Sequence, residues 1–269
     1  MSNKKISLFL FFNLEVLKVT FLGTGTSQGI PVIGSTHPVC LSSNPKDKRL
    51  RVSVLIEWSN YTYVIDCGPD FRQQMLRHNC SKLDGIVFTH EHADHTAGLD
   101  DIRPFFFRQG DIPIYAHRRV LGELERRFDY IFETENKYPG APNVIKNEVK
   151  NEAFKLGNLS VVPINGMHYK LQVFGYRFGD FAYLTDMKTI EEHELNKLQN
   201  LQVLVLNALR EGEHISHFNL NEALEIINRL QPKRAYLTHI SHLLGFHDEV
   251  QQKLPDNVYL AYDNLQITL

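Results

Sequence analysis

Cysteine is scarce: Cys40, Cys67 and Cys80 are the only three in 269 residues. An odd, widely spaced set implies no disulfide framework and suits a reducing compartment, so a cytoplasmic location is expected. An excess of one charge is also missing. Lys and Arg number 29 against 31 Asp and Glu, a net charge of −2, so no global basic field draws in nucleic acid. Arg118, Arg119, Arg126 and Arg127 recur at helical spacing among acids, which reads as a solvated helix face. Membrane-spanning length is lacking as well. The apolar run Ile6 to Phe12 follows Lys4-Lys5, but no small-residue cleavage site comes after it, and Glu15 and Lys18 soon break the pattern. That run is too short to cross a bilayer. Residues 1–17 are read as an N-terminal extension that packs on the domain or frays. Residues 18–269 are read as one domain, with no short repeat, low-complexity tract or linker.

What is present is an ordinary globular balance, 43% apolar and 22% charged, in which short β-branched and aromatic runs alternate with amphipathic stretches. Strands are expected at 19–22, 52–58 and 61–65 (a hairpin across Ser59-Asn60), 85–89, 112–116, 159–164, 173–178, 181–184, 203–206, 235–238 and 258–262. Helices are expected at 71–78 and 118–128. Asn219 and Glu222 predict a capping box opening a further helix, whose apolar face is Leu220, Ala223, Leu224, Ile227 and Leu230. Residues 129–152 are polar and irregular, the best candidate for a loop over a site. Two similar α/β halves in one domain account for the pattern.

Histidine is plentiful, with 13 residues, and it clusters. Thr89-His90-Glu91-His92-Ala93-Asp94-His95 follows the apolar strand Gly85-Ile86-Val87-Phe88. Three imidazoles and a carboxylate at a strand mouth are the nitrogen and oxygen donors that borderline divalent metals prefer. In extended backbone alternate side chains share a face, so His90 and His92 can address one ion together. The following helical turn can aim Asp94 and His95 at a second. Three more ligand-type residues, His168, Asp186 and His239, each come just after a predicted strand. That is where α/β sheets present their sites. Any one of these histidines alone would be ordinary; four strands delivering such residues to one edge is not a packing pattern.

His90-x-His92-x-Asp94-His95, with His168, Asp186 and His239 following in order, resembles the signature of the metallo-β-lactamase superfamily. Within it, the chain is similar to the PhnP-type phosphoribosyl cyclic phosphate phosphodiesterases. The stretches Leu22–Gly29, Ile65-Asp66-Cys67-Gly68 and Leu237–His242 add to the likeness, which runs from about Lys18 to the C-terminus. The resemblance implies a four-layer αββα sandwich and two divalent cations, Zn²⁺ or Mn²⁺. His90, His92 and His168 would bind the first, Asp94, His95 and His239 the second, and Asp186 would bridge. It implies attack by an activated water on a small phosphodiester, with no membrane or nucleic-acid partner and, by analogy, a homodimer.

The same likeness makes Asp66 the acid that supports a ligating histidine, although a turn or helix cap is an equal reading of the residue. It makes His217 the phosphate binder and general acid, beside the bland reading of an exposed loop histidine; His214 is a weaker competitor. Arg103 is a candidate phosphate contact, with a salt bridge to Asp100 or Asp101 as the plainer role. A third, structural zinc is implied at His37, Cys40 and His242, but Ser35 stands where a thiolate is expected. Three rivals remain: a tRNA 3′-end endoribonuclease, an acyl or thioester hydrolase, and a non-catalytic ligand sensor on the same fold.

Overall fold

The computed structural model describes residues 16–269. The expected extension therefore lies, apart from Val16 and Leu17, outside the described residues. Leu17 already belongs to the domain: it is buried and exchanges backbone hydrogen bonds with Leu269.

The chain first lays down β1 (Lys18–Gly23), β2 (Ser53–Trp58), β3 (Tyr61–Ile65), β4 (Gly85–Val87), β5 (Ile112–Ala116) and β6 (Val144–Glu148). It then builds β7 (Phe154–Leu156), β8 (Leu159–His168), β9 (Leu171–Phe178), β10 (Phe181–Tyr183), β11 (Thr189–Ile190), β12 (Val203–Asn207), β13 (Arg234–Thr238) and β14 (Val258–Leu260). The last strand, β15 (Gln266–Thr268), returns to pair with β1. One sheet runs β15-β1-β2-β3-β4-β5-β6 and the other β11-β8-β9-β10-β12-β13-β14, with β7 beside β8.

Side chains from both sheets interdigitate between them, including Phe21, Ile56, Ile65, Phe174, Tyr176 and Tyr183. The helices Phe71–Arg77, Arg103–Gln109 and Arg118–Arg127 cover the outer face of the first sheet. Glu192–Leu195, Leu220–Leu230 and His247–Gln251 cover that of the second. The result is the αββα sandwich expected from the sequence, because each sheet is apolar on both faces and needs a cover on each. Among the described residues, no helix is long and apolar enough to cross a membrane, and all three cysteines are free.

Topology places the site. β3, β4, β5 and β6 pair in parallel, as do β10, β12, β13 and β14. The loops after β3, β4, β10 and β13 carry Asp66, His90–His95, Asp186 and His239 respectively. The hairpin β8–β9 ends at His168, which pairs with Leu171.

One expectation is corrected. Residues 129–152 are not irregular throughout: 133–143 and 149–152 are, but the segment also holds the helical turn Asp129–Phe132 and the edge strand β6, in parallel register with β5. An edge strand is buried on few of its positions, so Val144–Glu148 carries almost none of the apolar alternation that marks a strand.

Candidate metal centre

The ligand-type side chains meet at one end of the sandwich, although up to 149 positions separate them in sequence (His90 to His239). His90 and His92 have ring centroids 4.6 Å apart, and His168 lies 5.1 Å from His92 and 5.7 Å from His90. Donor atoms of Asp94, His95, Asp186 and His239 all lie within 4.8 Å of one another, as do those of His168, Asp186 and His217. Asp186 is common to both groups.

Backbone strain holds several of these positions. Asp66 and His239, directly after β3 and β13, and Asp186, three residues after β10, sit at φ +63°, +55° and +56° respectively. Left-handed backbone disfavours residues with a Cβ and persists where surrounding structure compels it, commonly at functional sites. A close approach helps: a Cβ on Gly68 would lie 2.0 Å from the Asp94 carbonyl oxygen, so glycine lets the Asp66 loop press against the ligand loop. The Cys67 N–H completes that contact by donating to the His95 carbonyl at 2.7 Å.

The buried carboxylate of Asp66 organises two histidines. Its Oδ2 takes the Nδ1–H of His95 at 2.7 Å and the Thr89 hydroxyl at 2.8 Å. Thr89 Oγ1 in turn lies 3.0 Å from His90 Nδ1, which makes a relay from His90 through Thr89 to Asp66. Oδ1 accepts from Thr89 N at 2.9 Å. His168 Nδ1 donates to the Ser216 carbonyl at 2.8 Å. With Nδ1 engaged in all three rings, Nε2 is the free lone pair. Thr89 was not legible as part of the site, because a threonine inside an apolar strand carries no metal-ligand signal.

Whether these residues suit a divalent cation is answered by atoms that lack partners. Nε2 of His90, His95 and His239 is buried without a hydrogen bond, as is Nδ1 of His217. His95 Nε2 faces Asp94 Oδ2 at 3.3 Å and Asp186 Oδ2 at 3.2 Å, and His239 Nε2 faces Asp186 Oδ1 at 3.1 Å. These contacts lack hydrogen-bond geometry, so the atoms converge on shared points rather than on each other. The charges agree. Burial opposes a proton on His239, yet Asp186 and Asp94 raise its pKa to about 9. His95 is likewise raised well above its usual value against its own burial. Asp94 and Asp186 stay well below the carboxylate range despite burial, because those two imidazoles face them. The carboxylates demand positive charge at this spot, and a divalent cation meets that demand with the imidazoles neutral. The donor set fits.

His217 is 8% exposed. Its ring stacks 4.6 Å from that of His239 and lies 4.5 Å from that of His168, so it is no exposed loop histidine. The capping box two residues on fixes its path: Asn219 Oδ1 accepts from Glu222 N, and Glu222 Oε2 from Asn219 N, both at 2.9 Å. His214 stays a neighbour, 5.0 Å from His217, with Nδ1 accepting from Ser216 N.

Arg103 does not join the cluster. It is engaged by Asp100 through Nη2 at 2.7 Å and Nε at 3.0 Å, the plainer of its two expected roles. His37 and His242 approach edge-on at 4.9 Å, but with Cys40 they form no donor group within 4.8 Å among the described residues. Serine at position 35 supplies no thiolate to draw these side chains together; its Oγ accepts the His37 N–H instead. The arginine face is exposed as expected at Arg118, Arg126 and Arg127, and Arg119 alone departs from it: it is partly buried and pairs with Glu91, while Arg127 also donates to the Glu91 carbonyl.

Comparison with known proteins agrees with this geometry. The family model for the beta-lactamase superfamily domain matches residues 61–240. The crystal structure of a diphosphatase from the PhnP family superposes with a TM-score of 0.87 at 39% identity, over 93% of this chain and 97% of that one. An octanoyltransferase of Porphyromonas gingivalis is 38% identical over 93% of this chain but 51% of its own length. A ribonuclease Z of Listeria monocytogenes is 27% identical over 60% of this chain and 48% of its own. The chain thus spans about half the length of the curated relatives it matches.

Proposed function

The chain belongs to the beta-lactamase superfamily of hydrolases and, within it, to the PhnP family, and from that premise we propose that it is a binuclear metal-dependent phosphodiesterase acting on a small phosphodiester. His90, His92 and His168 would hold the first cation and Asp94, His95 and His239 the second, with Asp186 available to either. The observation that carries this reading is the place of Asp186, whose donor atoms lie within 4.8 Å of those of Asp94, His95 and His239 and also of His168, with the rings of His90 and His92 5.7 and 5.1 Å from that of His168. Divalent cations bound there, zinc or manganese, would supply Lewis acidity that offsets phosphoryl charge and lowers the pKa of water toward neutrality.

The chain's own residues supply tautomer control, orientation and the proton. Asp66, Thr89 and Ser216 fix which nitrogen of His95, His90 and His168 faces inward. Asp94, its side chain 14% exposed beside the buried His95, lines the approach with the exposed His92. His217 binds the phosphate and protonates the leaving oxygen. Burial, with His239 adjacent, lowers its pKa to about 2, so it is neutral at rest. Its ring can then donate a hydrogen bond to a phosphate, whose negative charge raises its affinity for a proton.

A small diester is favoured over a tRNA end by the net charge of −2, which offers little counterion release on a long polyanion. The diphosphatase named in the PhnP family acts at phosphorus, and the same displacement serves an anhydride or an ester. The decisive comparison is side-by-side kinetics of the metal-loaded protein on bis-(p-nitrophenyl) phosphate, a nucleoside diphosphate ester, precursor tRNA and an octanoyl thioester. Turnover of the small phosphoryl substrates without tRNA cleavage is expected. A higher kcat/KM for the thioester would reassign the chemistry to acyl transfer.

A further inference from the structure

Glu91 separates His90 from His92, and the helix Arg118–Arg127 grips it twice. Arg119 Nη1 pairs with Glu91 Oε1, while Arg127 Nη1 donates to the Glu91 carbonyl at 2.5 Å. Thr96 Oγ1 donates to the next carbonyl, that of His92, at 2.9 Å. The side chain and backbone of the one residue between two ligands are therefore each held by a guanidinium. The fork of Arg119 does more. Its Nη2 donates to the Gln172 carbonyl at 2.5 Å, and Gln172 pairs with Met167 one step before His168 in the β8–β9 hairpin.

One planar group thus ties a loop of the first sheet to the hairpin of the second, and the three histidines of the first cation are the residues carried on those two segments. A lysine, with a single ammonium, cannot hold a carboxylate and a carbonyl in that fixed geometry. The second set is held differently, by Asp66 on His95 and by strand ends for Asp186 and His239. Glu91 is only 9% exposed and its Oε2 has no partner, so Arg119 is what balances its charge.

We propose that Arg119, seconded by Arg127, is a positioning residue for the His90–His92–His168 triad and sets the affinity of the first cation selectively. The inference rests on the ligand assignment above. It is tested by titrating metal-free protein with Zn²⁺ against a chromophoric chelator, with Co²⁺ absorbance as a second readout. The wild type is expected to take up two ions. In R119A one site weakens tenfold or more, while the other keeps its affinity within threefold and its cobalt spectrum. R119K, keeping the Glu91 pair but not the fork, falls between. R127A weakens the same site by less. If R119A cannot be purified folded, E91A frees the loop without touching the helix and carries the same expectation, and E91Q, which still accepts from Arg119, stays within threefold. A lowered melting temperature with both affinities unchanged overturns the proposal and leaves the ligand assignment standing. A wild type that takes up fewer than two ions overturns both.

Discussion

Replacing Asp66 by asparagine isolates what one buried carboxylate does for the metal centre. The change is nearly isosteric, and asparagine tolerates the left-handed backbone at φ +63°, so the loop keeps its path. Oδ1 still accepts from Thr89 N. Oδ2, which receives both His95 Nδ1 and the Thr89 hydroxyl, becomes an NH₂ that faces a donor. The hydroxyl can rotate away; the imidazole of His95 cannot, and loses a bond to a charged acceptor, an effect of about 1.5–3 kcal/mol. That corresponds to roughly 10–100-fold in metal affinity, the usual scale for a group that orients a ligating histidine. Stability of the metal-free protein should move the other way or not at all, because burial already raises the Asp66 pKa and a neutral amide escapes that cost. Calorimetric titration of metal-free wild type and D66N with Zn²⁺, alongside thermal melts without metal, measures both quantities. Metal affinity within threefold of wild type, in a folded D66N, would refute the claim that Asp66 aims His95.

Other consequences follow from the same geometry. H217A should lower kcat for an alkyl phosphodiester about 100-fold but affect a p-nitrophenyl ester much less, since p-nitrophenoxide needs no proton to leave; equal losses on both would remove His217 from the proton-transfer step. Chelating metal should abolish turnover and lower Tm by roughly 5–10 °C, from about 2.7 kcal/mol of linkage at a hundredfold excess over Kd, as calorimetry with and without chelator would register. His247, buried with Arg49 Nη2 3.0 Å from its Nδ1, has its pKa lowered to about 4 by burial and by that guanidinium. A depressed pKa means its stabilising share is complete above pH 6.5 and is lost as pH falls through 4, at most about 3 kcal/mol. Denaturant unfolding of H247Q should accordingly depend less on pH across that window, and an unchanged dependence would clear His247 of the effect.

Much of this was legible in the sequence for a simple reason: strand periodicity and short-range spacing are local. The β2–β3 hairpin, the helix Arg118–Arg127, the capping box at Asn219 and the run from His90 to His95 all announce themselves within a dozen residues. So does the placement of Asp186 and His239 after strands, because parallel strands deliver their carboxyl ends to one edge, while His168 ends a strand of an antiparallel hairpin. The edge strand β6, half-wet and polar, gave no such pattern.

What only the tertiary structure decided are meetings between segments far apart in the chain. The relay from His90 through Thr89 to Asp66 joins β3 to β4. The burial of His217 against His168 and His239 depends on β8, β13 and the loop before the capped helix coming together. Arg119 looks like any solvated helical arginine until the packed sheets bring Glu91 and Gln172 within its reach. Residue type sets which chemistry is available locally; whether a charged side chain faces water or a partner is fixed only when the two sheets close on each other.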